Sequence, residues 1–160
     1  SRAKQKTKLS FKQIQEIEKR VFPINRSELL LDVFDEVTLD TTSRRNLLDS
    51  YLEDHPPDPE LFARMLDQSE DLNDPEFIRS REKLVDKSYQ NDFLPNYFYA
   101  RWYQKRGDTG VAAEYFRRLI RIRPGHPAGY RGLIKYYQQQ GNFVQARISR
   151  ERARALENDQ

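Results

Sequence analysis

Arg101 and Lys135 stand 34 residues apart in a chain of 160, and each keeps similar company: Tyr97 and Gln104 flank the first, Arg131 and Gln138 the second. Spacings of four and three put each trio on one side of a helix. Were those helices neighbours, two cations with carboxamides beside them would suit a carboxylate, in a side chain or at a chain end. Other chemistry is thinly provided. The two histidines, His55 and His126, lie beside proline in predicted turns, and a turn role accounts for both. The absence of cysteine excludes disulfides, thiol catalysis and cysteine metal sites. Arg106-Gly107-Asp108-Thr109-Gly110 follows no strand, so it does not read as a phosphate loop. The stretch from Asp67 to Asp74 lacks the alternation and central glycine of a calcium loop. The chain therefore reads as non-enzymatic, with no catalytic residue, metal site or cofactor expected.

The elements that must position these residues follow from an internal echo. Tyr103-Gln104-Lys105-Arg106-Gly107-Asp108 returns as Tyr137-Gln138-Gln139-Gln140-Gly141-Asn142. Ala112 maps onto Ala146 and Tyr99 onto Leu133, while the same step backwards sets Asp74 under Asp108 and Met65 under Tyr99. A fixed period of this length marks a helical-hairpin repeat, so the expected class is all-α. Asp74, Asp108 and Asn142 are short acceptors suited to free amides at a helix start. Gly107 and Gly141 precede two of them, where a chain leaving one helix needs a left-handed residue. Asp58-Pro59-Glu60 and Asp74-Pro75-Glu76 each read as cap, first helical residue and first-turn acid. Helix starts are expected near 59, 75, 94, 109, 127 and 143, and Ala112 and Ala146 are small where paired helices approach closely.

With these residues the chain resembles the tetratricopeptide repeat family. Tyr99, Tyr103, Gly107, Ala112, Phe116 and Pro124 carry the resemblance in a unit at 93–126. Tyr130, Leu133, Tyr137, Gly141, Phe143 and Ala146 carry it in a unit at 127–157. The unit at 59–92 is degenerate, with Asn73 in place of glycine and Ile78 in place of alanine. A weaker helical hairpin is expected over 25–58, where Leu31 and Tyr51 fall in phase with Met65 and Val85. The resemblance implies a right-handed superhelix of three to four hairpins whose concave face holds peptide ligands. It also implies that the first helix of each pair lines that face. The partner-binding residues would then be Tyr97, Arg101, Gln104, Arg131, Lys135 and Gln138, with Arg101 set beside Lys135 and the acids Glu60, Asp67 and Glu70 at the other end. Family members that clamp a chaperone tail use asparagines this sequence lacks, so that role is not implied.

Charge adds a second surface and sorts along the chain. Residues 1–20 carry seven Lys/Arg against two acids, residues 21–96 eight against eighteen, and residues 97–157 thirteen against four. Arg117, Arg118, Arg121 and Arg123, then Arg147, Arg150, Arg152 and Arg154, fall on the outer helices. Such arginines could follow phosphates on nucleic acid or an anionic membrane face. No aromatic–basic alternation marks a base-stacking platform, so a protein ligand in the groove is the preferred reading.

The N-terminal segment, 1–24, is basic, and Phe11, Ile14, Ile17 and Val21 give a narrow apolar stripe along a helix that Phe22-Pro23 ends. That helix packs on the solenoid in one reading; in the other, residues 1–22 lie close to a membrane. No run is apolar enough to cross a bilayer. The chain starts at Ser1, as a processed protein or a piece of a longer polypeptide would. The expected role is a cytoplasmic scaffold or adaptor, or the cytosolic part of a membrane-anchored assembly.

Overall fold

The structure is a computed structural model that describes residues 57–159, with Thr42 and Asn46 as isolated helical positions. The stripe over 9–22, the hairpin over 25–58 and His55 lie outside the described residues. Six helices follow: α1 Pro59–Asp71, α2 Pro75–Ser88, α3 Phe93–Lys105, α4 Thr109–Ile122, α5 Ala128–Gln139 and α6 Phe143–Asn158. Among the described residues there is no strand. The second helix of each pair starts at Pro75, Thr109 and Phe143, 34 residues apart each time.

The period is written in the turns. Asp74 N–H donates to Ser69 O at 2.8 Å, Asp108 N–H to Tyr103 O at 3.0 Å, and Asn142 N–H to Tyr137 O at 2.8 Å. One residue earlier, Asn73, Gly107 and Gly141 donate to Glu70, Gln104 and Gln138. This paired closure satisfies the last carbonyls of a helix and requires a left-handed residue at its corner. The φ angles there are +53° at Asn73, +84° at Gly107 and +68° at Gly141. Asparagine tolerates that region better than other side chains, which is why the degenerate unit keeps the turn without glycine.

Side-chain caps begin three of the helices. Asp58 Oδ1 accepts from Leu61 N–H at 3.0 Å, Asp74 Oδ1 from Phe77 N–H at 3.2 Å, and Asn142 Oδ1 from Gln145 N–H at 3.2 Å. Asp108, expected to do the same, makes no such bond. It is instead the centre of an inverse γ-turn, φ −79° and ψ 63°, closed by Thr109 N–H to Gly107 O at 2.9 Å. The turn satisfies that backbone amide, and the Asp108 side chain stays in solvent.

The chain divides into two compact units, 1–78 and 79–160, with the division inside α2. In the first, α1 buries Leu61, Phe62, Met65 and Leu66, and the start of α2 buries Phe77 and Ile78. In the second, α3 packs on α4, α4 on α5 and α5 on α6. Its core holds Phe98, Tyr99, Trp102, Tyr115, Phe116, Leu119 and Leu133. Each such side chain taken out of water stabilises the fold by about 1.5–3 kcal/mol. Ala112 and Ala146 are buried at the helix contacts, as their size requires.

Glycine lets α5 approach α4 closely. A Cβ on Gly132 of α5 would lie 2.2–2.4 Å from the Phe116 ring of α4, and one on Gly129 would lie 2.6 Å from Ile120 Cγ1. Two glycines three apart inside a helix cost about 1 kcal/mol each in helix propensity. The Phe116 ring seated against α5 is the compensating contact.

Candidate partner-binding site

Along α3, the polar face is built on an aromatic ladder. His126 and Arg123, from the turn after α4, lie 4.7 Å and 4.9 Å from the Phe93 ring. Phe93 stacks on Tyr97 at 5.7 Å, and the Arg101 guanidinium sits 5.3 Å over the Tyr97 ring. Buried Phe93 therefore fixes half-buried Tyr97, which supports exposed Arg101. His126 is a turn residue, its Nδ1 accepting from Ala128 N–H at 3.1 Å at the start of α5.

Gln104 Nε2 donates to Gly132 O of α5 at 3.5 Å, a long contact that links the two rows. This contact spans 28 residues, six short of the period. On α5, Arg131 is bonded to the Glu157 carboxylate of α6, while Lys135 and Gln138 are exposed. Among the described residues, Arg101 and Lys135 form no ion pair. The six residues thus divide: Arg101, Lys135 and Gln138 are open, Tyr97 and Gln104 are half-buried and engaged, and Arg131 is neutralised by the tail of α6.

A second polar cluster, which the sequence did not suggest, joins α2, α3 and α4. Both oxygens of Glu82 accept phenol hydrogens, from Tyr103 at 2.5 Å and Tyr115 at 2.6 Å. The rings of Tyr103 and Tyr115 are stacked at 6.1 Å, and Tyr99 stacks on Tyr115 at 5.6 Å. Burial first, and then the bond to the Glu82 carboxylate, push the Tyr103 and Tyr115 phenols well above the ordinary tyrosine range. Tyr99 is pushed up chiefly by burial, with Tyr115 and Glu82 nearby. Such phenols stay neutral and donate; the cluster is a clamp between helices.

Asn96 and Trp102 were equally unmarked in the sequence. Asn96, fully buried, donates through Nδ2 to Tyr89 O at 2.9 Å and Asp92 O at 2.7 Å, fastening the α2–α3 turn. Trp102 is buried with Arg79 at 5.7 Å and Arg106 at 4.5 Å from its ring. Its being the single tryptophan was the available signal.

The outer arginines are partly engaged. Arg117 pairs with Glu114 at 2.7 Å and lies 5.1 Å over Tyr136; bonds to Tyr136 and Tyr137 help raise its pKa against the opposing effect of burial. Arg118 pairs with Asp86 at 2.6 Å and lies 4.8 Å over Tyr115. Arg147 approaches Glu151 at 3.9 Å. Among the described residues no three His, Asp or Glu side chains converge to hold a metal ion, and no helix is long and apolar enough to cross a membrane.

No family model, curated protein or solved structure matches the chain.

Proposed function

We propose that the chain is a non-enzymatic scaffold of the tetratricopeptide type, its hairpins forming a right-handed superhelix that binds an acidic or carboxylate-bearing partner segment along α3 and α5. The observation that carries this reading is Arg101, exposed, held over Tyr97 and without an ion pair among the described residues, on a row whose Gln104 reaches α5. A cation already fixed by a stacked ring loses little freedom on binding. Lys135 and Gln138 extend the row, and a planar guanidinium takes a carboxylate in two bonds.

The test is binding of a peptide with acidic residues and a free C-terminal carboxylate, followed by calorimetry. Reversing Arg101 and Lys135 to Glu should cost about 2–5 kcal/mol if the partner carboxylate is desolvated. Reversing exposed Arg121 and Arg152 changes charge equally and should leave affinity within a factor of a few. Loss of binding in the second variant alone would refute the groove.

The competing class is nucleic acid or an anionic membrane surface on the outer arginines. The groove is favoured because Arg117, Arg118 and Arg147 already lie against acids of the chain.

A further inference from the structure

α4 holds α5 through four positions. Thr109 Oγ1 bonds to Gln139 Oε1 at 2.7 Å, and Arg117 lies over Tyr136. Phe116 fills the space against Gly132, and Ile120 that against Gly129. One period later the same positions of α6 are Phe143, Glu151, Arg150 and Arg154, and Arg147 stands where α4 has buried Ala113. Residues 143, 147, 150 and 154 recur at steps of four, three and four, so they share one side of α6. The other side, with Ala146, Ser149 and Ala153, is buried.

On α6 the side by which α4 holds its successor is exposed, or half-buried at Arg150, and Ala113, Phe116 and Ile120 are replaced there by Arg147, Arg150 and Arg154. A surface that merely ended a stack would be polar throughout. Phe143 is 69% exposed, with Val144 and Ile148 exposed beyond it. Where Thr109 makes a hydrogen bond, α6 offers a bare aromatic ring.

We propose that this side of α6 docks an acidic amphipathic helix of a partner protein in the place a further repeat helix would take. The surface is separate from the α3–α5 row and goes beyond that reading. Charge complementarity sets the occupant: Arg147 already approaches Glu151 and Glu157 is held by Arg131, so among the described residues Arg150 and Arg154 are left to call for carboxylates, which a guanidinium binds in two parallel bonds. The α4–α5 contact sets its direction. Thr109 meets the end of α5 and Ile120 its beginning, so the docked helix runs antiparallel to α6. Its carboxylates belong in its N-terminal half, opposite Arg154 and Arg150, where they also complement the helix dipole. Its apolar residue belongs near the C-terminal end, over Phe143. A bare phosphate chain would satisfy the arginines and leave Phe143 uncovered.

The probe is a side-chain-stapled peptide of the α5 sequence, Ala128–Gln139, carrying Gly129→Glu, Arg131→Gln, Gly132→Glu, Lys135→Gln and Gln139→Leu, which makes it acidic and sets an apolar residue over Phe143. Its binding to the full chain is read by fluorescence anisotropy, with circular dichroism confirming that each variant is folded. The expected result is saturable binding that falls at least tenfold on R150E/R154E and weakens with salt. It should persist in R101E/K135E, which separates this surface from the groove. The unsubstituted glycine peptide should bind at least tenfold more weakly. The proposal is overturned if the substituted peptide fails to bind, or binds R150E/R154E equally well. It is also overturned if an RNA oligomer or anionic vesicles bind in its stead through Arg150 and Arg154. Self-association of the chain that is abolished by R150E/R154E would make the occupant a second copy and overturn it too.

Discussion

Glu82 shows how much of a fold can rest on one carboxylate in the middle of a helix. It ties α2 to both α3 and α4, accepting from Tyr103 and Tyr115 in a setting where both phenols are kept neutral. Hydrogen bonds to a charged acceptor are worth about 1.5–3 kcal/mol each. Glu82→Ala should therefore lower stability by about 2–4 kcal/mol in chemical denaturation, and Glu82→Gln by less, since one carbonyl acceptor remains. A loss under about 0.5 kcal/mol for the alanine variant would show that water replaces the carboxylate without cost. The same cluster sets an alkaline limit. Phenols in the unfolded chain ionise near pH 10, whereas Tyr99, Tyr103 and Tyr115 do so only at higher pH. Above about pH 10 the unfolded state binds fewer protons than the folded one, so stability falls as pH rises, and is unaffected by these groups below it. Denaturation midpoints between pH 8 and 11 would check the sign. Tyr103 and Tyr99 were legible as repeat positions, but Glu82 was not: its partners lie 21 and 33 residues on, beyond any helical period. Asp108 failed in the opposite sense: the glycine turns before it and before Asn142 close alike, yet only the Asn142 side chain turns in to cap its helix.

At the scale of the helix, the starts of α2, α4 and α6 and the glycine corners were readable because turn chemistry is local. What could not be read was the depth of contact between α4 and α5. Gly129 and Gly132 were not singled out in the sequence, and the position of Phe116 and Ile120 explains them. Gly132→Ala should destabilise by about 1–3 kcal/mol by overpacking, despite alanine being the better helix former. Gly110→Ala is the contrast: a Cβ there meets nothing within 4 Å, so the change should be neutral or stabilising by up to about 1 kcal/mol. Thermal melts of the two variants decide it. Were Gly132→Ala to melt higher than the parent, the close approach of α4 and α5 would not hold. Phe143, counted in sequence among the repeat's signature residues, is exposed, whereas Phe116 is in the core. The two are not equivalent along the period, for Thr109 returns as Phe143 and Phe116 as Arg150, so residue type and burial change together.

Across the whole molecule, charge is sorted, and the sorting bears on what it can bind. The eighteen acids of 21–96 oppose a long polyanion, while the thirteen cations of 97–157 invite a short one. Any binding of single- or double-stranded nucleic acid should therefore be weak and fall steeply between low and moderate salt, as counterion release requires. Retention of tight binding at about 0.2 M salt would show that the acidic half does not screen the basic one. The six candidate residues were legible as rows along α3 and α5, but the pairing of Arg131 with Glu157 was not, since it joins residues 26 apart on different helices. The dense contacts of the second unit each join a helix to its sequence neighbour, α3 to α4 to α5 to α6. A body built this way has a mechanical grain. Drawn out from its C-terminus by a single-molecule tether, it should not rupture as one block. Among the described helices α6 packs closely on α5 alone, so it should peel first, then α5, each hairpin paying out on the order of 110–120 Å of contour. The molecule would then yield to tension as a zip fastener does, from its arginine-bearing end inward.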